Sequence, residues 1–380
     1  MVDVMLSKLE AVDPSVLISV VRQDQNSPSF NVTGWSVRRL SDQGIINPNG
    51  LWLYEGEGKD ETGSRPWSVV VKILNRPEQE QPQANMWYWQ RELLVARSRL
   101  TERLPGPVRA PRFYRADETP EGGWLWMEHI VDESPKTWTV EQFTFAAETL
   151  GEWNGRCMLG KPLPDYPWLA KEHYRDWLSD INLEQAWENP YNQKYMSAVQ
   201  RARCERLWAE REIFFHALEA LPRIFSHFDS QRRNLFIRTT ETGREELAIV
   251  DWAMCGWGPV GAELYALVGM SFILYPIELA QIQAIDRAVF DGYMRGLRDS
   301  GWEGNAALVR LGYTAWLGVY MGLGTPNFFA WWTSEDARSF ALQQYGMAGE
   351  ELYLKLFPLF DYFLDCSDEA RSLINRLGYG

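Results

Sequence analysis

The segment Phe225–Phe236, with the sequence FSHFDSQRRNLF, carries the side chains best suited to chemistry. It contains His227, Asp229 and Asn234 and leads directly into a predicted strand. Asp229 lies five residues before Asn234, so we expect the two side chains to be separated by the width of one loop. From there the Asp229 carboxylate could accept a proton from a hydroxyl that attacks a phosphorus atom. We group His227 with Asp229 as a catalytic-loop residue and expect it to orient the loop rather than act directly as an acid or base.

A second strand follows a short polar turn and ends in the sequence IVDW, which contains Asp251. Because two strands joined by a short turn bring their outer ends together, Asn234 and Asp251 are expected to lie side by side. A carboxylate and an amide oxygen are hard donors, which suit a Mg²⁺ ion that carries phosphates. The sequence therefore predicts a metal site at Asn234 and Asp251.

Lys72 lies in the middle of the apolar run WSVVVKIL (Trp67–Leu74), which predicts a strand. A lysine inside such a run is costly unless it has a charged partner. Glu92 is the only acid in the predicted helix Gln83–Leu100 and is the expected partner. Such a pair would aim the ammonium at a polyphosphate, and the turn Asp42–Gly50 could lie over the same group with its backbone N–H groups.

The periodicity divides the chain into a strand-rich first third and a helix-rich remainder, with the joint near residues 128–134. Predicted strands in the first part are Trp35–Leu40, Leu51–Tyr54, Trp67–Leu74, Arg112–Arg115 and Gly123–Met127. The later part predicts long helices interrupted by two short strands, Leu235–Arg238 and Leu247–Val250. This order predicts an α+β fold.

Composition argues against several classes of protein. The chain has 380 residues and a formal charge of −13, which argues against nucleic acid as a partner. Four scattered cysteines imply neither a disulfide framework nor a zinc site, and with no signal peptide at the start we expect a cytoplasmic protein. The charge-free run Leu311–Trp332 is interrupted by glycines and a proline, so we expect buried helices rather than a membrane span.

The order of strand–turn–strand, VVVK, helix Glu, HxDxxxxN and IVDW resembles the aminoglycoside phosphotransferase and choline kinase family, over roughly residues 35–270. The resemblance implies a bilobal protein-kinase-like fold. We expect an N-terminal nucleotide-binding lobe at residues 1–127, a hinge at 128–133 and a helical catalytic and substrate lobe at 134–380. It also implies a kinase that transfers the γ-phosphoryl group of ATP or GTP to a hydroxyl of an aminoglycoside-like, sugar-like or other small acceptor.

By this resemblance Asp229 is the catalytic base, and Asn234 and Asp251 hold Mg²⁺. Lys72 contacts the nucleotide phosphates and Glu92 orients it. The adenine lies against the backbone near the hinge, which makes Glu128, His129 and Ile130 cofactor-binding residues.

The sequence departs from the family pattern at Phe228, where a small residue, often Gly, is usual, and at Gln231-Arg232-Arg233. Glu263 stands where an Asp is common. Two other functions stay open: a kinase-like module that binds nucleotide without turnover, and a metallohydrolase using His227, Asp229 and Asp251.

The acceptor and the oligomeric state cannot be read from the sequence. One expectation concerns the acceptor site: an aromatic and acidic cleft beside Asp229, built from Asp165–Pro190 and Thr325–Asp336. Its proposed aromatic residues are Trp168, Trp177, Trp187, Trp331 and Trp332.

Overall fold

The structure of the protein is a computed structural model that describes residues 2–41, 50–171, 173–275 and 277–379. It begins with two helices that the strand pattern does not anticipate, α1 (Val2–Glu10) and α2 (Pro14–Asp24). The carboxylate of Asp13 accepts a hydrogen bond from the amide of Ser15 at 2.8 Å, and Pro14 supplies a preformed helical φ. These two features explain where α2 starts.

An antiparallel five-stranded sheet follows within the described residues, in the order β1–β2–β3–β6–β5. A short strand, β4, lies between β3 and β5 in the chain and joins a different sheet. The strands are β1 (Asn31–Ser41), β2 (Leu51–Asp60), β3 (Gly63–Asn75), β4 (Val108–Arg109), β5 (Phe113–Thr119) and β6 (Gly122–Glu128). The five strands predicted from the first third are therefore present.

The alternation of β3 sorts its side chains onto two faces of the sheet. Trp67, Val69, Val71 and Ile73 pack in one cluster with the apolar side chains of α1 and α2. Val70 packs on the opposite face with Leu93 of α3 (Arg91–Ser98). Lys72 has the same parity as Val70, so the strand period places it on the α3 side of the sheet.

Helix α3 is much shorter than the predicted helix Gln83–Leu100, and the difference has a physical cause. The Arg91 guanidinium donates hydrogen bonds to the carbonyls of Gln83, Asn85 and Met86 at 3.2, 2.5 and 2.9 Å. Because a side chain already occupies these carbonyls, the segment before α3 folds as an irregular loop around Arg91 instead of a helix.

After Glu128 the chain forms small sheets and many helices. β8 (Leu235–Thr239) pairs with β9 (Glu245–Ile249), and β9 pairs in parallel with β4. β7 (Arg223–Ser226) pairs with β10 (Gly256–Pro259). The two predicted strands are β8 and β9, whereas the sequence pattern misses β7 and β10.

The helices of the second part build its core. They are α4 (Val140–Leu159), α5 (His173–Ser179), α6 (Leu183–Glu188), α7 (Pro190–Tyr195), α8 (Ala198–Glu219), α9 (Ser271–Leu274), α10 (Ile282–Asp299), α11 (Ala306–Leu317), α12 (Leu323–Trp332), α13 (Arg338–Tyr345), α14 (Glu350–Leu356) and α15 (Pro358–Leu377). Helices α4 and α10 pack closely where Gly296 of α10 meets α4. A Cβ at Gly296 would lie only 1.9 Å from the carbonyl oxygen of Glu148. A side chain there would force the two helices apart.

The charge-free run Leu311–Trp332 contains most of α11, a π-helical turn at Gly318–Gly322 and α12. The glycines and Pro326 of this run favour a turn in its last third, but that prediction is wrong, since α12 continues through Pro326. Pro326 lies in the first turn after the π segment, where the regular helical hydrogen-bond pattern is already interrupted. Among the described residues, no helix is long and apolar enough to cross a membrane.

The architecture is α+β with two lobes, as predicted: a small β-rich lobe followed by a large, mostly helical one. The five-stranded sheet ends at Glu128, and in the described ranges no strand crosses residue 130. The exact lobe boundaries, 1–127, 128–133 and 134–380, stay a prediction.

Candidate active site

The candidate catalytic loop, residues 227–234, starts where β7 ends and is closed by a 3₁₀ turn at Arg232–Asn234. The Asp229 carboxylate accepts hydrogen bonds from Nε2 of Gln231 at 2.9 Å and from Nδ2 of Asn234 at 2.7 Å. The same Asn234 nitrogen donates to the Asp229 carbonyl at 2.9 Å. These contacts fix the carboxylate and leave the amide oxygen of Asn234 facing another direction.

Asp251 reaches the site because β8 and β9 are antiparallel neighbours in which Leu235 pairs with Ile249. The amide of Val250 donates to the carbonyl of Asn234 at 3.0 Å, so the strand ends lie together as predicted from the short turn. Asp251 has a left-handed backbone, with φ of 66°, at the point where the chain turns away from β9. Its side chain is 39% exposed and therefore open to a ligand.

Lys72 joins two carboxylates from different parts of the chain. Its Nζ lies 2.6 Å from Oε2 of Glu92 and 2.6 Å from Oδ1 of Asp251. Burial disfavours the charged ammonium, yet the two carboxylates raise the pKa of Lys72 above its ordinary value. The structure thus brings together the predicted pair and adds Asp251 as a second partner.

The two acids respond differently to this arrangement. Burial raises the pKa of Glu92, which is 1% exposed, despite the adjacent ammonium. For Asp251 the penalty of burial is outweighed by the Lys72 ammonium, and its pKa is lowered. Glu92 also accepts a hydrogen bond from the amide of Trp252 at 3.1 Å. Asp251 is consequently the more strongly ionised of the two acids.

The pKa of Asp229 is shifted in the opposite direction from that of Asp251. Its pKa is raised to about 7, first by burial and second by the nearby negative charge of Asp251. Hydrogen bonds from Gln231 and Asn234 and the charge of Arg233 counteract part of this rise. A carboxylate whose pKa lies near neutral pH is well matched to proton transfer.

His227 is fully buried, and burial lowers its pKa to about 4. Its Nδ1 accepts a hydrogen bond from the amide of Asp229 at 3.3 Å, and its ring meets Trp252 edge-on at a centroid distance of 4.8 Å. Its own amide donates to Glu263 at 2.9 Å. These contacts favour the interpretation that His227 orients the loop in its neutral form.

The residue between His227 and Asp229 adopts a conformation that explains the unusual sequence there. Phe228 has a φ of 61°, the left-handed region in which glycine is favoured. Its carbonyl accepts a hydrogen bond from the Tyr265 hydroxyl at 2.5 Å, and its ring stacks on Trp316 at 5.2 Å. The strained peptide is therefore held by one hydrogen bond and by packing.

Arg91 is a structurally important residue that sequence reasoning missed. It is fully buried and also donates to the carbonyls of Trp168 at 2.7 Å and Ala253 at 2.8 Å. Burial lowers its pKa to about 10. By bonding Ala253, two residues after Asp251, Arg91 ties the start of α3 to the helical lobe. Its distant partners leave no signal in the local sequence.

Arg232 is buried inside the second lobe. Its Nη2 donates to Asp132 at 2.8 Å and to the Pro135 carbonyl at 2.6 Å, and its guanidinium lies 4.5 Å from the Trp138 ring centroid. This side chain links the catalytic loop to the segment after the hinge. Arg232 therefore pairs with a nearby acid inside the protein instead of lying in solvent.

The side chains at the predicted hinge are buried or bonded to other residues of the protein. The Glu128 carboxylate pairs with Arg109 and accepts a hydrogen bond from the Arg112 amide at 3.1 Å. His129 shares a 2.9 Å hydrogen bond with Ser68, and Ile130 is 6% exposed. Contact of adenine with the backbone at residues 128–130 stays a prediction. The turn at Asp42–Gly50 lies outside the described residues, except for Gly50.

The expected aromatic cleft is wrong for three of its tryptophans, because Trp168, Trp177 and Trp332 are buried. Trp177 stacks on Tyr320 at 4.3 Å and donates to its carbonyl at 3.0 Å. Trp331 remains 40% exposed. Aromatic faces predicted for a substrate are instead used in the core.

The predicted metal ligands, Asn234 and Asp251, lie at neighbouring strand ends. In the part of the chain that the structure describes, no group of three or more His, Cys, Asp or Glu side chains is arranged to hold a metal ion. The amide oxygen of Asn234 accepts no hydrogen bond among these residues, and Asp251 is partly exposed. A hard cation that takes its remaining ligands from phosphates fits this donor pair.

Comparisons with known proteins bear on the family and the fold. A model of the phosphotransferase enzyme family (APH) matches residues 61–300. A choline kinase from Cryptosporidium parvum Iowa II is similar in structure, with 13% identity, a TM-score of 0.51, and coverage of 97% of this chain and 98% of that chain. The amicoumacin kinase hAmiN, solved with AMP-PNP, Ca²⁺ and Ami, has 14% identity, a TM-score of 0.50, and coverage of 96% and 95%.

A search of curated protein sequences finds no significant match. At these identities the two structural likenesses bear on the fold alone, which is the bilobal kinase-like fold.

Proposed function

The chain belongs to the phosphotransferase enzyme family, and on that premise we propose that it is a small-molecule kinase that transfers the γ-phosphoryl group of ATP or GTP to a hydroxyl. One observation carries the proposal. Asp229 is fixed by Asn234 beside the Lys72–Glu92–Asp251 ion-pair cluster, so a proton acceptor lies next to groups suited to phosphates. Phosphoryl transfer needs positioning and charge neutralisation more than covalent catalysis, and this arrangement offers both.

Asp229 acts as the base in this proposal. Its oxygens are held by Gln231 and Asn234, which orients the carboxylate toward an acceptor hydroxyl. As the hydroxyl oxygen bonds to the γ-phosphorus and the bond to the β-phosphate oxygen breaks, the hydroxyl proton passes to Asp229. The pKa of about 7 leaves a large fraction of Asp229 ionised at neutral pH while keeping it basic enough to take the proton.

The nucleotide is placed by the β-rich lobe. Lys72, held by Glu92, would direct its ammonium at the phosphates, and the hinge backbone at 128–130 would receive the base. Asn234 and Asp251 would hold Mg²⁺, which when bound supplies neutralisation of the phosphate charge. Because Asp251 already contacts Lys72, nucleotide binding would require these groups to share the phosphates and the cation.

The test measures transfer from radiolabelled ATP and GTP to a panel of acceptors: aminoglycosides, macrolides, choline and sugars. Asp229→Asn should lower transfer by roughly two to four orders of magnitude with little change in nucleotide affinity. Asp291→Asn, which makes the same change at an exposed carboxylate of α10, is the matched control.

Near-normal transfer in Asp229→Asn would remove Asp229 from the mechanism. Tight nucleotide binding without transfer to any acceptor or to water would favour the alternative of a binding module. Turnover of a phosphate ester without nucleotide would instead support a hydrolase.

A further inference from the structure

Two neighbouring arginines in the catalytic loop have different surroundings. Arg232 is 4% exposed and its hydrogen bonds and ion pair are all inside the protein. Arg233 is partly exposed and, within the described residues, makes no hydrogen bond or ion pair. The 3₁₀ turn at Arg232–Asn234 therefore directs one guanidinium into the core and leaves the next one unpaired at the surface of the site.

Chain geometry places Arg233 close to Asp229, because it directly precedes Asn234, whose side chain donates to the Asp229 carboxylate at 2.7 Å. Arg233 lowers the pKa of Asp229, and it also opposes the raised pKa values of Tyr275 and Tyr345. The amide of Arg232 donates to the Ser271 hydroxyl at 2.9 Å, and the Tyr345 hydroxyl of α13 donates to the Ile273 carbonyl at 2.8 Å. Helix α9 therefore links the turn that carries Arg233 to α13.

The nearby carboxylates already have other partners. Asp229 accepts hydrogen bonds from Gln231 and Asn234, and Asp132 pairs with Arg232. Asp251 pairs with Lys72. A guanidinium with five donors is consequently left beside a reacting carboxylate without a bonded anion.

We propose that Arg233 binds an anionic group, a carboxylate or a phosphate, next to Asp229. Planar guanidinium donors match both groups in a bidentate arrangement, whereas an ammonium at the same place would be repelled. The anion has two possible sources: an acidic group on the acceptor, or the terminal phosphate of the nucleotide. The second half of this inference, the choice between the sources, rests on the proposed kinase function.

The experiment titrates inorganic phosphate into the protein and follows binding by phosphorus NMR at low ionic strength. It compares the wild type with Arg233→Gln, and repeats both titrations with saturating AMP-PNP and Mg²⁺. Arg287→Gln is the matched control, because Arg287 is exposed on α10 and has no ion pair among the described residues. We expect Arg233→Gln to weaken phosphate binding by roughly ten-fold or more, since charge-assisted hydrogen bonds are lost.

Each result has a defined meaning. Loss of phosphate affinity both with and without AMP-PNP indicates an anion site on the acceptor side. Loss only without AMP-PNP, together with weaker AMP-PNP binding, identifies the nucleotide phosphate as the anion.

The proposal is overturned if the wild type binds no phosphate, if Arg233→Gln binds it as the wild type does, or if Arg287→Gln weakens it equally. None of these readouts requires turnover, so failure of the kinase proposal would be seen separately, as absent transfer or absent AMP-PNP binding.

Discussion

The raised pKa of Asp229 predicts that the proposed base destabilises the protein. In the folded protein the carboxyl has a pKa of about 7, against an ordinary value of 3.8. At ~1.4 kcal/mol per pH unit, this difference of roughly three pH units lowers the free energy of unfolding by ~4 kcal/mol at a pH where Asp229 is ionised in both the folded and the unfolded protein. Asp229 is partly exposed, so solvent screening reduces the expected cost to ~2 kcal/mol.

The pH dependence of this cost has a definite sign. Below the ordinary pKa of 3.8 the group is neutral in both states and costs nothing. As the pH rises toward 7 the unfolded chain ionises while the folded protein keeps its proton, so the free energy of unfolding falls. Above pH 7 the full cost is present.

Asp229→Asn should remove the cost, because it deletes the charge and keeps the shape. The new amide nitrogen would face the donor of Gln231 or Asn234, and rotation of the Gln231 amide resolves this conflict. The Oε1 atom of Gln231 is buried and has no hydrogen-bond partner in the structure, so rotation loses no bond at that atom.

The assay is calorimetric unfolding in EDTA without nucleotide, near pH 5 and near pH 8, with the exposed Asp291→Asn as the control. At ~2 °C per kcal/mol for a large chain, Asp229→Asn should raise Tm by ~4 °C near pH 8 and by only ~1.5 °C near pH 5. Equal shifts at the two pH values, or a lower Tm at pH 8, would refute the electrostatic reasoning.

Three further predictions concern activity. The value of kcat/KM for transfer should rise with pH as Asp229 ionises, with an apparent pKa below the metal-free value of about 7, because Mg²⁺ on Asp251 offsets the negative charge that raises it; a profile that does not rise between about pH 5 and pH 7 would contradict this. In calorimetric titrations Asp251→Ala should abolish most of the Mg²⁺ dependence of nucleotide binding, and unchanged dependence would exclude Asp251 as a metal ligand. Tyr265→Phe removes the hydrogen bond to the Phe228 carbonyl and should lower kcat roughly ten-fold without changing nucleotide affinity. Tyr353→Phe, which loses a buried hydrogen bond to Asn192, is its control; equal loss of kcat in both variants would deny Tyr265 a positioning role.

The positions of the proposed site residues could be predicted where short-range chain geometry determines them. Asn234 and Asp251 come together because adjacent antiparallel strands return the chain to the same edge. Lys72 and Glu92 could be paired because a lysine in an apolar strand needs a partner and the following helix offers one acid. The contact between Lys72 and Asp251 depends on how the lobes meet, which strand and helix periods do not determine.

The missed features depend on contacts between distant parts of the chain. The loop before α3 is irregular because Arg91 binds its carbonyls, and Arg91 is fixed by Trp168 and Ala253 far along the sequence. Local pattern alone favours a helix there. The buried tryptophans fail as acceptor-site residues for a similar reason, since their partners, such as Tyr320 for Trp177, lie on other helices.

Phe228 shows how an unusual residue can occupy the catalytic loop without displacing its neighbours. A left-handed backbone costs an ordinary residue about 1–2 kcal/mol, whereas full burial of a phenylalanine contributes about 1.5–3 kcal/mol. The ring gains this burial because Gly258 faces it: a Cβ at that position would lie 2.4 Å from Cζ of Phe228. Phe228 thus depends on a glycine at position 258, and burial is large enough to offset the strain. The backbone between His227 and Asp229 consequently keeps the turn that directs Asp229 toward Asn234, and we infer that the departure changes the packing behind the loop rather than the position of the proposed base.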